Sequence, residues 1–223
     1  MVTPESSGRL VIPAGEVGAT RIDPKAAVAT LVVAHGAGAG MDHPFMVGFC
    51  RAMGEAEVAT LRFNFPYVER GRRSPDPERV LRETWLAAFA DASRDGTRPM
   101  LAGGKSLGGR IASMCVADGM PAAGLVFLGY PLHPPGRTDR LRAEHLGGIE
   151  VPMLFLQGTR DPFARPDLLA GVLAGLGDRA TLVSIEGGDH SFRVRGQKAD
   201  DRAIGAALAG EAAPFVRRVA GAR

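Results

Sequence analysis

The chain has 223 residues, 45% of them hydrophobic and 23% charged, with a net charge of +3. That length suits a single α/β domain with a sizeable core, expected over residues 1–223, and the composition is that of an ordinary globular protein. The basic residues are scattered and no apolar run reaches membrane-spanning length, so neither a nucleic-acid partner nor a membrane is expected.

The first residues, Met1-Val2-Thr3-Pro4-Glu5, show neither a basic n-region nor an apolar h-region. A cytoplasmic location is the resulting expectation. Cys50 and Cys115 each lie in an apolar helix-like segment and read as buried free thiols. No metal-ligand spacing occurs, so no metal or cofactor is expected.

In chain order, residues 9–12 and 17–22 read as two antiparallel edge strands. Val28–Ala34 is a β-branched strand, His43–Glu57 a helix and Val58–Phe65 a strand. Residues 66–78 form a Pro- and Arg-rich surface loop. Asp76–Arg94 is a long helix with Pro77 expected at N1. Met100–Gly103 is a strand and Leu107–Asp118 a helix. Gly124–Tyr130 and Met153–Gln157 are short apolar strands. Pro166–Leu176 is a helix, Ala180–Ile185 a strand and Ala199–Val219 a terminal helix. Buried runs without strict alternation, separated by helices, predict a mostly parallel central sheet with helices on both faces.

One motif carries chemistry. Gly104-Lys105-Ser106-Leu107-Gly108 joins a predicted strand to a predicted helix. Gly-x-Ser-x-Gly in that context is a nucleophile elbow, a tight turn that lifts a serine Oγ above the sheet. Gly104-Lys105-Ser106 also resembles the end of a phosphate-binding P-loop. That pattern requires a glycine at position 99, which is Pro, and a loop where Met100-Leu101-Ala102 reads as a strand.

A serine nucleophile needs a base, and the base an orienting acid. In a fold of this kind the acid and then the base follow the serine in the chain. Asp161 follows the Met153–Gln157 strand, and His190 follows Ala180–Ile185 as the last histidine in the chain. Asp189 is a rival acid that reads better as loop-forming. His35-Gly36-Ala37 follows an earlier strand, and its small residues fit an oxyanion site made of the Ala37 and Leu107 N–H groups. His35 reads as structural. His43 either lines the pocket or serves the helix N-terminus. Lys105 either attracts an anionic acyl or leaving group or pairs with a surface acid.

Several blocks together resemble a known family: His35-Gly36-Ala37-Gly38-Ala39-Gly40-Met41-Asp42-His43-Pro44-Phe45-Met46, Arg62-Phe63-Asn64-Phe65-Pro66-Tyr67, Gly103-Gly104-Lys105-Ser106-Leu107-Gly108-Gly109-Arg110, Gly129-Tyr130-Pro131-Leu132-His133-Pro134-Pro135-Gly136, Gln157-Gly158-Thr159-Arg160-Asp161 and Gly188-Asp189-His190-Ser191-Phe192. They are similar to small α/β-hydrolases related to the testis-expressed hydrolase-like protein and to a regulatory subunit of the NSL chromatin complex. Dienelactone hydrolase is a more distant relative. The resemblance implies an α/β-hydrolase fold and a Ser106, Asp161, His190 triad, and supplies no substrate.

The short span between Tyr130 and Met153 leaves room for a short helix and not a full cap. An open site for a small or exposed ester is therefore expected, in a monomer or homodimer. The carboxylic-ester hydrolase reading stands beside a thioesterase or peptidase using the same triad, and beside a non-catalytic protein-interaction module.

Overall fold

The computed structural model describes residues 4–94, 96 and 98–221; residues 1–3, 95, 97, 222 and 223 of the expected domain lie outside them. Eight strands form one sheet: β1 (Glu5–Ile12), β2 (Gly15–Ile22), β3 (Ala29–Ala34), β4 (Val58–Phe63), β5 (Met100–Lys105), β6 (Leu125–Leu128), β7 (Met153–Gly158) and β8 (Ala180–Ile185). Their spatial order is β1-β2-β4-β3-β5-β6-β7-β8. β1 and β2 form an antiparallel hairpin, β2 runs antiparallel to β4, and the remaining pairs are parallel.

The unbroken apolar runs follow from that arrangement. Every residue of β4, β6 and β7 is buried, because helices cover both faces of a parallel sheet. The edge strand β8 is only partly buried, and Leu182 on it is exposed. On one face pack α1 (Pro44–Glu55) and α6 (Asp201–Gly221). On the other pack α3 (Glu78–Ala92), α4 (Leu107–Ala117) and α5 (Pro166–Leu176), around Trp85 and Phe127.

Two local expectations need correction. Residues 66–78 are not wholly loop, since a one-turn helix, α2 (Pro66–Glu69), opens the segment. Its Pro66 sits where a missing N–H costs nothing. Pro77 is the N-cap of α3 and not its first helical residue; its ψ of 146° is extended. Between β6 and β7 only a 3-10 turn, Glu144–Gly148, appears, and no cap over the sheet is formed among the described residues. No described helix is long and apolar enough to cross a membrane.

Strand β3 lies between β4 and β5, so the chain moves to one side of β3 and later crosses to the other. Loops leaving the carboxyl ends of strands diverge at such a switch point and leave a crevice. The ends of β3, β5, β7 and β8 feed that crevice.

Candidate active site

Ser106 occupies the turn between β5 and α4 with φ 49° and ψ −115°. Positive φ is costly for a residue with a Cβ, about 1–3 kcal/mol, and persists only where the surroundings enforce it. Here the Ser106 N–H donates to the Leu128 carbonyl at 3.1 Å, and the Ser106 carbonyl accepts from the Arg110 N–H at 3.0 Å. A Cβ on Gly104 or Gly108 would overlap the Ala34 carbonyl oxygen, so β3 and the elbow meet backbone to backbone. The indole N–H of Trp85 on α3 donates to the Gly108 carbonyl at 3.0 Å and holds the start of α4.

The Ser106 hydroxyl caps no helix amide. It lies 2.9 Å from Nε2 of His190, whose Nδ1 lies 2.7 Å from Oδ2 of Asp161. An ionised Asp161 only accepts, so Nδ1 carries the ring proton and Nε2 is left to accept from Ser106. The Asp161 side chain is fully enclosed, whereas the imidazole is 21% exposed. The Phe163 ring packs on the imidazole with centroids 4.2 Å apart.

Each loop is built to hold its residue. Asp161 Oδ1 accepts the Phe163 N–H at 2.8 Å, closing the turn after β7. Asp189 Oδ1 accepts the Ser191 and Arg193 N–H groups at 2.8 and 2.9 Å, shaping the loop around His190 as an Asx turn. Phe192, at φ 63°, turns its ring inward to stack on Phe45 of α1, with centroids 6.0 Å apart.

Gln157 is the residue that the sequence reading missed. Its Nε2 donates to Asp161 Oδ2 at 2.6 Å, and its Oε1 accepts the Tyr130 N–H at 2.8 Å. The available signal was a polar residue closing an otherwise apolar buried strand, which demands a partner.

His35 is fully buried at the end of β3. Its Nδ1–H donates to the Gly36 carbonyl at 2.8 Å and its Nε2 accepts the Phe65 N–H at 3.2 Å. Burial pulls its pKa down to about 4, so the ring is neutral at pH 7. It fixes the turn that leads to Ala37. The N–H groups of Ala37 and Leu107 have no acceptor among the described residues. Leu107 is the first residue of α4, where the helix leaves its amides unpaired and its dipole favours negative charge.

A cleft of about 340 Å³ opens over Ser106 and His190, bordered by Ala37, His43, Phe45 and Lys105. His43 lines the cleft, and as N-cap of α1 its Nδ1 accepts the Phe45 N–H at 3.3 Å. Lys105 lies in the cleft wall and makes no ion pair among the described residues. Outside the cleft, His133 Nε2 accepts the Arg165 N–H at 3.0 Å and His145 Nε2 lies 2.8 Å from Ser113 Oγ. Both cysteines are buried and free.

The arrangement offers a hydroxyl with a base in reach and an acid behind the base, next to a helix N-terminus. The family model for an alpha/beta hydrolase domain matches residues 27–216. An α/β serine hydrolase without lid from Xanthomonas campestris superposes with a TM-score of 0.73, at 21% identity, over 98% of this chain and 95% of that one. Dienelactone hydrolase from Anabaena variabilis gives 0.77 at 19% identity, over 96% and 97%. The esterase domain of a Rhodothermus marinus protein gives 0.71 at 17% identity, over 95% and 98%. At these identities the likeness is one of fold.

Proposed function

The chain belongs to the alpha/beta hydrolase domain family, and on that premise we propose that it is a serine hydrolase of carboxylic esters, with Ser106 as nucleophile, His190 as general base and acid, and Asp161 as the acid that orients it. The observation that carries this reading is the continuous hydrogen-bonded line from Ser106 Oγ through His190 to Asp161 Oδ2, at 2.9 and 2.7 Å. The strained backbone of Ser106 supports it, since strain of this kind gathers at functional sites.

In the proposed cycle His190 Nε2 takes the Ser106 proton as Oγ attacks the ester carbonyl. The Ala37 and Leu107 N–H groups receive the developing oxyanion, where a single donor is worth about 3–4 kcal/mol in comparable sites. His190 passes the proton to the departing alkoxide. It then draws a proton from water as the water attacks the acyl-Ser106 carbonyl; the acyl–Oγ bond breaks, His190 returns the proton to Ser106 Oγ, and the acid leaves. Asp161 holds Nδ1 protonated throughout and stabilises the imidazolium.

The uncapped cleft favours a short acyl chain or an ester exposed on a larger molecule. The same proposal puts the chain, by the resemblance of its motif blocks from His35 to Phe192, among the small hydrolases related to the testis-expressed hydrolase-like protein and the NSL-complex subunit. A cytoplasmic, cofactor-independent enzyme is part of the same proposal.

A panel of 4-nitrophenyl acetate and butyrate, an acyl thioester and a peptide anilide tests the reading. Ester turnover is expected to lead, and Ser106→Ala is expected to lower it by about a thousandfold or more. Turnover that survives Ser106→Ala, or that favours the anilide, would overturn it.

A further inference from the structure

Lys105 carries the one ammonium among the described residues of the cleft, and no described carboxylate forms an ion pair with it. Its aliphatic stem runs beside Gly36, with Cγ 3.4 Å from where a Cβ on that glycine would stand. Its Nζ reaches the end of β6, 3.3 Å from the corresponding point on Gly129 and 5.6 Å from the centre of the Phe192 ring. Phe45 and Met46 of α1 border the same cleft and bring no charge.

The carboxylates nearby are already engaged. Asp161 accepts from His190, Gln157 and Phe163. Asp189 accepts two backbone amides of its own loop. Asp201, across the cleft, pairs with Arg193 at 2.7 Å and faces His43 at 3.7 Å. Arg193 is thereby neutralised, and Lys105 remains the uncompensated cation among the described cleft residues. Burial outweighs the attraction of Asp161 and Asp189 and pulls the Lys105 pKa down to about 8. A half-buried charge lacking a close counterion is costly, and an anionic ligand would supply the missing partner.

We propose that Lys105 receives a carboxylate carried by the substrate, so that the preferred esters are anionic, with the carboxylate a few atoms from the scissile carbonyl. This rests on Ser106 being the nucleophile. The carboxylate has two possible sources, the acyl half or the alcohol half of the ester. A half-ester of a short dicarboxylic acid represents the first and an ester of a hydroxy acid the second.

The experiment compares kcat/KM for matched pairs. 4-Nitrophenyl hemisuccinate against 4-nitrophenyl butyrate probes the acyl half. Butyryl glycolate against ethyl butyrate, followed by acid release, probes the alcohol half. In at least one pair the wild type is expected to favour the anion by about tenfold or more. The ammonium is charged below its pKa of about 8, so the preference is expected to hold below that pH and to fade above it. Lys105→Met is expected to abolish the preference and Lys105→Arg to retain much of it. Should Lys105→Met fail to fold, the pH dependence of the wild-type ratio decides. A wild-type ratio near one in both pairs would overturn the proposal. So would a ratio that Lys105→Met leaves intact, or one that does not fall as pH rises. Neutral-ester turnover dependent on Ser106, seen alongside a ratio near one, would remove this inference and leave the ester-hydrolase reading standing.

Discussion

Gln157 binds two loops through one side chain, taking the Tyr130 amide on one end and Asp161 on the other. Replacing it with leucine leaves the Tyr130 N–H buried without an acceptor and removes a donor from Asp161. Gln157→Leu is therefore expected to lower kcat by about 10–100-fold with KM little changed, as small misplacements of a catalytic group do. Steady-state kinetics checks this; an unchanged kcat would remove Gln157 from the site. At this scale the sequence was legible where chain order constrains it. Ser106, Asp161 and His190 each follow a strand in the required order, and the fold brings the three within hydrogen-bond distance. Gln157 was hidden because nothing in a linear apolar run tells which strand-end polar group meets which. The isolation of Lys105 was hidden for a similar reason, since it depends on hydrogen bonds that occupy Asp161 and Asp189 from distant parts of the chain.

The elements that support the site depend on close backbone contact. Helices α1 and α6 cross at two glycines: a Cβ on Gly48 would overlap the Arg202 carbonyl, and one on Gly205 would overlap the Phe45 carbonyl. Overpacking of this kind costs about 1–3 kcal/mol or more, because backbone cannot rotate away as a side chain can. Gly205→Ala is expected to destabilise the fold by at least that amount in urea titration, and to disturb the Phe45 wall of the cleft. A stability change within about 0.5 kcal/mol, the ordinary surface range, would contradict the close crossing. The order of strands and helices was legible from apolar runs and their breaks. The ends of elements were less so. Pro77 suits both N-cap and N1 by its fixed φ, and only the extended ψ distinguishes them. Helix α2 is a single turn, too short to impose a periodic pattern.

Across the whole molecule, the buried His35 links folding to pH. The native ring stays neutral to about pH 4, whereas a free imidazole takes up its proton near 6.5. The unfolded chain therefore binds a proton over that interval that the native state refuses. Stability is full above pH 6.5 and falls as pH drops toward 4, by about 3 kcal/mol for this one group. Urea midpoints measured across the interval are expected to show this decline, and His35→Gln to show a shallower one. Equal slopes in the two proteins would contradict the neutral, buried ring. The same sheet that encloses His35 leaves its carboxyl edge uncapped, so the cleft is open to reagents without a conformational gate.

A fluorescent fluorophosphonate applied to the folded protein reads the nucleophilicity of Ser106 itself. Covalent labelling is expected to map to Ser106 by mass spectrometry and to disappear in Ser106→Ala and His190→Ala. A folded wild-type protein that takes no label, or takes it elsewhere, would remove Ser106 as the nucleophile.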